Sequence, residues 1–400
     1  MPASRSCASQ VVKQLAGSSI PDSKEFRYLG RKFPEAANGV RAEHMGAPPS
    51  LAMLLVRRLQ RISCRAAPCR RRRGFDGTNA RASSGLSAMN LAILAGSANP
   101  ALARAIAGRL GVAIGKSEVE RFPDGEIHVE IHDTVRGHDV YLVQPTSPPA
   151  DRHLMELLLL ADACRRAGAL RLTAIVPYLG YARQDRRAHG REAVGARVVA
   201  DLFRAGRLDR VVAVDLHAGA LEGFFAMPLE HLTAIPLLAK ALRSSVDPQS
   251  VIVAPDLGAA KLADRYARLL GLPVAVIHKV RVSAAKVTAR AVTGEVRGRR
   301  PLIVDDMIST GGTIEAAVEA VVSAGALPEV TVAATHGLFV GPAAERLRRG
   351  SIRRLIVTDS VIPSAEQSLA VEYVSIGPLL ASAIDRLHRN ESLDEFIAHA

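Results

Sequence analysis

The chain has 400 residues, enough for two or three domains, and 48% of them are hydrophobic, as in ordinary globular proteins. No apolar stretch reaches the roughly 18 residues that a membrane-spanning helix requires, so we expect no membrane partner. The formal net charge of +13 at first suggests a nucleic-acid or membrane-surface partner.

The excess positive charge belongs to the N-terminal segment, residues 1–88. This segment holds 16 of the 52 basic and 5 of the 39 acidic side chains, which leaves 36 basic and 34 acidic groups elsewhere. The body of the protein is therefore nearly neutral, and we expect no nucleic-acid partner. Three origins remain open for the segment: a start codon assigned upstream of a true start at Met89, a disordered extension, or a transit peptide.

Cysteine usage indicates a reducing compartment. Cys7, Cys64 and Cys69 lie in the N-terminal segment, and Cys164 lies within an apolar helical pattern. Neither a disulfide framework nor a zinc-ligand spacing is present. We therefore expect a cytoplasmic protein.

From Met89 onward, strand-like runs alternate with helix-like stretches. This alternation predicts an α/β fold with parallel sheets, arranged as two doubly wound domains over residues 89–232 and 233–376, followed by a C-terminal helix over 377–400 that packs back on the first domain. The predicted strands are 91–94, 139–143, 172–176, 210–214, 250–253, 274–277, 302–304 and 330–335, and the predicted helices include 100–110, 153–168, 194–205 and 313–325.

Two segments of the first predicted domain contain candidate site residues. Phe122, Asp124, Gly125 and Glu126 form an Asp-Gly turn, which by itself indicates only a turn. Several arginines follow the 172–176 strand, where guanidinium groups can bind polyphosphate oxygens in a bidentate way. A Gly-Lys-Ser sequence at 115–117 is not a phosphate-binding P-loop, because its glycine spacing is one residue short and it follows a helix.

Three later strands are followed by polar residues: His217 after one, Asp256 after the next, and Lys279 with Arg281 after the third. Taken singly, each has an ordinary structural explanation as a hydrogen-bonded core histidine, a turn acid or surface charge. Ligands of doubly wound folds bind at the carboxyl ends of strands, which favours a functional role for the set.

The most informative segment is the loop of residues 305–313. Asp305 and Asp306 follow a buried strand and can accept hydrogen bonds from a vicinal diol. A Gly-Gly pair then opens a helix whose N-terminus favours an anion. A diol site beside a phosphate site suits a phosphorylated ribose.

In this order, the motifs resemble the ribose-phosphate pyrophosphokinase (phosphoribosyl diphosphate synthetase) family over 89–400, and the 305–313 loop resembles that of type I phosphoribosyltransferase folds. The resemblance implies transfer of the β,γ-diphosphoryl group of MgATP to the C1 hydroxyl of ribose 5-phosphate. It implies ATP binding by Phe122, Asp124, Gly125, Glu126, Arg183 and Gln184; ribose 5-phosphate binding by Arg281, Asp305, Asp306, Ser309, Thr310, Gly311, Gly312 and Thr313; Mg²⁺ binding by His217 and Asp256; and catalysis by Lys279 and Arg281.

Two departures from the family pattern are local: Ala259 replaces a frequent glycine, and Ser309 replaces a frequent aspartate. The second puts the family's regulation by phosphate and ADP in doubt. The resemblance also implies a homo-oligomer built from dimers or hexamers, with active sites near subunit interfaces. Two alternatives remain: a phosphoribosyltransferase, and a catalytically silent regulatory subunit that associates with a synthetase. The sequence does not determine the subunit number, the diphosphoryl donor preference or a general base.

Overall fold

The computed structural model describes residues 90–280, 289–362 and 369–398, with backbone only at 279, 280, 289 and 290. The N-terminal segment and the predicted catalytic Arg281 lie outside the described residues. Within the described ranges, no helix is both long and apolar enough to cross a membrane.

The first half builds a five-stranded parallel sheet in the order β1-β4-β5-β6-β7, with an antiparallel hairpin of β2 and β3 beside it. Helix α1 packs on one face of the sheet, and α2 and α3 pack on the other. The elements are β1 (Leu91–Ala95), α1 (Pro100–Leu110), β2 (Ser117–Arg121), β3 (Ile127–Ile131), β4 (Asp139–Val143), α2 (Ala150–Arg166), β5 (Arg171–Val176), α3 (Gly195–Ala205), β6 (Arg210–Val214) and β7 (Leu229–Leu232).

The second half builds a seven-stranded sheet in the order β10-β9-β8-β11-β12-β13-β14, parallel except for β10. Helices α4 and α5 pack on one face, and α6 and α7 on the other. The elements are α4 (Ile235–Leu242), β8 (Ser250–Ala254), α5 (Ala260–Leu270), β9 (Val274–Val280), β10 (Ala289–Thr293), β11 (Arg300–Ile308), α6 (Gly312–Ser323), β12 (Val330–Gly337), α7 (Ala343–Arg349), β13 (Ile352–Thr358), β14 (Glu372–Val374) and α8 (Gly377–Arg389).

The predicted α/β class with parallel sheets is confirmed, and each of the eight predicted strands is present. The prediction that β11 ends at Val304 is wrong, because the strand continues to Ile308. Its extension is paired on the β12 side, where Asp305 lies opposite Ala334 and Met307 lies opposite His336. The two aspartates therefore lie on a paired strand rather than in a loop, which restricts their backbone.

The C-terminal helix α8 belongs to the core of the first half. Leu380 and Ile384 share an apolar cluster with Leu102 and Ile106 of α1. The predicted helix over 377–400 is too long, because Asn390 adopts the left-handed conformation with φ of 58° and ends the helix at Arg389. A left-handed residue is a common helix stop.

The two halves meet near the carboxyl ends of their sheets. Tyr178 of the first half packs with Met307 and Leu338 of the second. The side-chain amide of Asn99 donates to the carbonyl of Asp359 over 2.7 Å. These contacts bring the loops that follow β5 and β6 next to the loops that follow β11 and β12.

Candidate active site

The site is assembled from the carboxyl ends of strands in both sheets. Asp256 follows β8, and Asp305 and Asp306 lie near the end of β11, the parallel neighbour of β8. Because neighbouring parallel strands end at the same edge, these carboxylates face one region. The carboxylates are close enough to interact: after burial and Asp306, the negative charge of Asp256 also contributes to the raised pKa of Asp305.

Asp305 and Asp306 form an unequal carboxylate pair. Burial, followed by the charge of Asp306, raises the pKa of Asp305 well above its usual range. Burial would also raise the pKa of Asp306, but the hydrogen bond and the charge of His217 outweigh it and lower that pKa. Asp306 is therefore the more readily ionised carboxyl of the pair and the stronger acceptor, and Asp305 is the one whose negative charge a nearby donor or cation would stabilise most.

His217 comes from the other half of the molecule, on the turn after β6. Its Nδ1 lies 2.7 Å from Oδ2 of Asp306, although 89 residues separate them in sequence. The hydrogen bond to Asp306 raises the pKa of His217, and burial opposes that shift. The imidazole is 39% exposed and Asp306 is 16% exposed, so the pair is accessible from solvent.

The arginine-rich loop after β5 lies beside this pair. The positive charge of Arg183 opposes the raised pKa of His217, whereas Asp185 supports it. Burial raises the pKa of Tyr178, and Arg183 again acts in the opposite direction. Gln184 is fixed through its backbone, because its amide donates to Tyr181 and its carbonyl accepts from Ala196 at the start of α3. Arg183 is exposed, and its positive charge acts on both His217 and Tyr178.

The loop before α6 has two features that are typical of anion-binding turns. Gly311 adopts φ of 76°, and α6 begins without a side-chain cap. The first amide groups of a helix have no intrahelical acceptor, so this N-terminus offers donors to a ligand. The preceding carbonyls are already used: Ser309 accepts from the Val340 amide over 3.0 Å, and Thr310 from Arg346 over 3.2 Å.

The turn of Phe122 to Glu126 lies at the tip of the β2–β3 hairpin. The amide of Phe122 donates to the Glu126 carbonyl over 2.9 Å, and the amide of Gly125 donates to the Phe122 carbonyl over 2.9 Å. The Asp124 carboxylate accepts from the Glu126 amide over 3.0 Å. The Phe122 ring is 46% exposed and lies 5.3 Å from the ring of His128. These contacts stay within the hairpin, and Phe122 remains exposed to solvent.

Lys279 lies on β9, opposite Arg290 of the antiparallel strand β10. The last paired residue of β8, Ala254, lies opposite Val276, so Lys279 is three residues beyond that point, on the side where Asp256 lies. Its backbone position is therefore at the site edge of the sheet.

Two family models match the chain. The model of the N-terminal domain of ribose phosphate pyrophosphokinase matches residues 91–206, and that of the phosphoribosyl transferase domain matches residues 230–360. A ribose-phosphate pyrophosphokinase of Fusobacterium nucleatum is 40% identical over 309 residues, 76% of this chain and 98% of the relative. That of Staphylococcus saprophyticus is 42% identical over 299 residues, 74% of this chain and 93% of the relative.

The chain belongs to the ribose-phosphate pyrophosphokinase family. A crystal structure of phosphoribosylpyrophosphate synthetase from Mycobacterium smegmatis is similar to it, with 40% identity, a TM-score of 0.71, and coverage of 75% of this chain and 99% of the other. The resemblance seen in the motifs is therefore confirmed at the level of family and fold.

In the described part of this family member, no group of three or more His, Cys, Asp or Glu side chains could hold a metal ion by itself. The donors that are present are mainly carboxylate oxygens, the type that Mg²⁺ prefers. Mg²⁺ usually takes only one or two protein carboxylates and completes its shell with water and substrate phosphates. The residues therefore fit a cation that arrives with a nucleotide.

Sequence reasoning missed the buried residues that support the site, above all His336 and His231. His336 lies inside the apolar strand β12, and His231 lies in β7. The sequence could have pointed to them, because a polar side chain inside an apolar strand must find hydrogen-bond partners and so marks a contact with another element.

Proposed function

We propose that the chain is a ribose-phosphate diphosphokinase that transfers the β,γ-diphosphoryl group of MgATP to the C1 hydroxyl of ribose 5-phosphate, giving phosphoribosyl diphosphate and AMP. One observation carries the assignment of the site: the Asp305–Asp306 pair lies between the uncapped start of α6 and His217, which reaches Asp306 from the other half of the molecule. Sugar, phosphate and nucleotide sites then meet at one place.

Ribose 5-phosphate binds with its phosphate at the start of α6, on residues 309–313, and with its diol on Asp305 and Asp306. Backbone amides and the helix dipole favour the dianionic phosphate. The negative charge on Asp306 makes it a strong acceptor for a ribose hydroxyl, and the raised pKa of Asp305 is relieved when a hydroxyl donates to it.

ATP binds on the other side of His217, with its phosphates toward Arg183 and Gln184 and its base on the exposed ring of Phe122. Asp124, Gly125 and Glu126 complete the nucleotide contacts on this hairpin. His217 and Asp256 would hold Mg²⁺, which when bound neutralises charge on the phosphate oxygens. The described contacts of the hairpin do not connect it to the rest of the site, so its part in ATP binding needs a test of its own. Phe122→Ala should raise the KM for ATP if the ring contacts the base.

The C1 hydroxyl attacks the β-phosphorus in line as the bond to AMP breaks. Lys279 and Arg281 stabilise the negative charge on the transferred group, so the protein acts by positioning and electrostatics. No side chain of the described site is assigned as a general base.

The direct test is to incubate the full chain with ribose 5-phosphate and MgATP and to follow AMP and phosphoribosyl diphosphate. Equal formation of both products is expected. A folded but inactive chain that binds an active synthetase would favour the silent regulatory subunit. Consumption of phosphoribosyl diphosphate with a nucleobase would favour a phosphoribosyltransferase.

The role of Lys279 is tested by Lys279→Ala, with Lys240→Ala on α4 as a matched control. Loss of one charge-stabilising donor lowers turnover by about 10²- to 10³-fold, whereas the exposed Lys240 should be replaceable without effect. Near-normal turnover of Lys279→Ala would remove it from the catalytic group.

We further propose a cytoplasmic homo-oligomer built from dimers. The buried, free thiol of Cys164 suits a reducing compartment. Met155, Val198 and Leu202 leave apolar side chains exposed on α2 and α3, which suits a protein–protein contact. Light scattering of the purified chain tests the assembly.

A further inference from the structure

The turn that carries His217 has an unfavourable backbone conformation. Asp215, directly after β6, has φ of 41°, which is uncommon for a residue with a Cβ atom. Such a conformation is strained and persists only where surrounding contacts hold it. The turn directs His217 onto Asp306, so the contacts that hold Asp215 also determine where His217 lies.

One of these contacts comes from His336, on β12 of the other half. Its Nε2 lies 3.0 Å from the carbonyl oxygen of Val214 and 3.3 Å from that of Asp215. Carbonyl oxygens only accept, so Nε2 carries the proton. Nδ1 lies 2.8 Å from the hydroxyl of Ser360, which can donate to it. Complete burial lowers the pKa of His336, in keeping with a neutral ring that uses both nitrogens.

The carboxylate of Asp215 is held as well. Its Oδ2 accepts from the Thr335 hydroxyl over 2.7 Å and from the Ala234 amide over 3.0 Å. Thr335 and His336 are adjacent on β12, so one strand of the second half holds both the carboxylate and the carbonyl of the same residue. The side chain of His336 also meets the ring of Tyr178 edge-on, with centroids 5.1 Å apart.

The next peptide group of the turn is held from the first half. The amide of Leu216 donates to Nε2 of His231 over 2.8 Å. Nδ1 of that ring lies 2.8 Å from the carboxylate of Glu222, which fixes the proton on Nδ1. The two histidines therefore use opposite tautomers: one donates to the turn, and the other accepts from it.

We propose that His336 is a positioning residue for diphosphoryl transfer, which acts from β12 by holding the strained 214–216 turn so that His217 stays on Asp306. The inference rests on the proposed function. His336 cannot contact a substrate, because it is buried and both ring nitrogens are occupied. His336 also links the two halves of the molecule. It lies on the sheet that contains Asp306, and it donates to the turn that carries His217.

The test compares two substitutions of His336 in the full chain. His336→Leu keeps much of the volume and removes the hydrogen bonds, whereas the side-chain amide of His336→Gln can still donate to the carbonyls. We expect His336→Leu to lower kcat by about 10- to 100-fold, because displacement of a site group by about 1 Å costs up to that factor. The KM for ribose 5-phosphate should change less than threefold, and His336→Gln should recover most of the kcat.

His153→Leu is the matched control. His153 is also buried, and its Nδ1 lies 2.7 Å from the Ser147 carbonyl; its hydrogen bonds among the described residues do not involve the 214–217 turn. It should lose thermal stability without the drop in kcat. Thr335→Val, which replaces the hydroxyl that donates to the Asp215 carboxylate by a methyl group, gives a second variant if His336→Leu does not fold. It should lower kcat by about threefold to tenfold, less than His336→Leu, because the Ala234 amide still donates to that carboxylate.

Each outcome decides one claim. A folded His336→Leu variant with wild-type kcat would overturn the positioning role, and so would equal losses in His336→Leu and His153→Leu. If His336→Leu does not fold, wild-type kcat in Thr335→Val would overturn it. Wild-type turnover is measured first in the same assay, so an inactive wild type would count against the proposed function and not against His336 alone.

Discussion

Two buried tyrosines allow a matched test of how much a hydrogen bond to a buried hydroxyl contributes to the stability of this fold. Tyr141 on β4 and Tyr266 on α5 are both completely buried. The Tyr141 hydroxyl donates to the Asp139 carboxylate over 2.9 Å. The Tyr266 hydroxyl is the one buried side-chain oxygen without a hydrogen-bond partner among the described residues. Replacement of each by phenylalanine removes one oxygen and leaves the ring.

The expected effects have opposite signs. A hydrogen bond to a charged group contributes about 1.5–3 kcal/mol. Asp139 also accepts from Arg171 and His388, so Tyr141→Phe should cost near the lower end, about 1.5–2 kcal/mol. A buried hydroxyl without a partner costs about 1–3 kcal/mol, so Tyr266→Phe should stabilise the protein by about 1 kcal/mol or more.

Urea unfolding followed by circular dichroism measures both variants against the wild type, with equal m-values required for the comparison. Thermal midpoints should move in opposite directions by a few degrees. A loss of stability in Tyr266→Phe as large as that in Tyr141→Phe would refute the reasoning, because it would mean that the Tyr266 hydroxyl has a strong partner.

Three further predictions concern single residues. Gly311→Ala should raise the KM for ribose 5-phosphate and lower the free energy of unfolding by about 1–2 kcal/mol, because φ of 76° is strained for a residue with a Cβ atom. Gly108→Ala is the control: its added Cβ meets open space, so it should stabilise α1. Steady-state kinetics and urea unfolding measure both variants. Burial raises the pKa of the Cys164 thiol to about 12, so peptide mapping should find it unlabelled by a thiol reagent at pH 8 until urea is added. Burial would raise the pKa of Asp139, but its hydrogen bond from Arg171 lowers it. Its stabilisation is then present above the unfolded pKa of about 3.9 and lost as pH falls below it, so the cost of Asp139→Asn, about 3 kcal/mol at pH 7, should shrink on acidification in pH-dependent urea unfolding.

Most strands were predictable because a strand buried on both faces has a continuous apolar run, as in β4 and β8. The hairpin strand β2 was not predicted, because its residues Ser117–Arg121 are mostly exposed and charged and show no apolar pattern. The extension of β11 to Ile308 was also not predictable locally, because it depends on pairing with β12.

The site was predictable as a set of strand ends but not as a set of contacts. The carboxyl ends of parallel strands converge, so Asp256 and Asp305 could be placed at one edge from sequence alone. The contact of His217 with Asp306 could not be predicted from the sequence, because it joins the two sheets and depends on how the two halves pack. The same holds for the contacts of His336 with the carbonyls of Val214 and Asp215, which lie more than 120 residues earlier.

The packing of α8 on α1 has a consequence for synthesis on the ribosome. One face of the first sheet, with Ile93 and Tyr141, shares its core with Leu380 and Ile384. Translation proceeds at about 5–20 residues per second. This face of the sheet is therefore uncovered for about 10–50 s before α8 has been synthesised. During this interval the nascent chain presents an incomplete apolar surface, which makes it a natural client for chaperones and makes ribosome-stalled chains that end before α8 more sensitive to protease than the released protein.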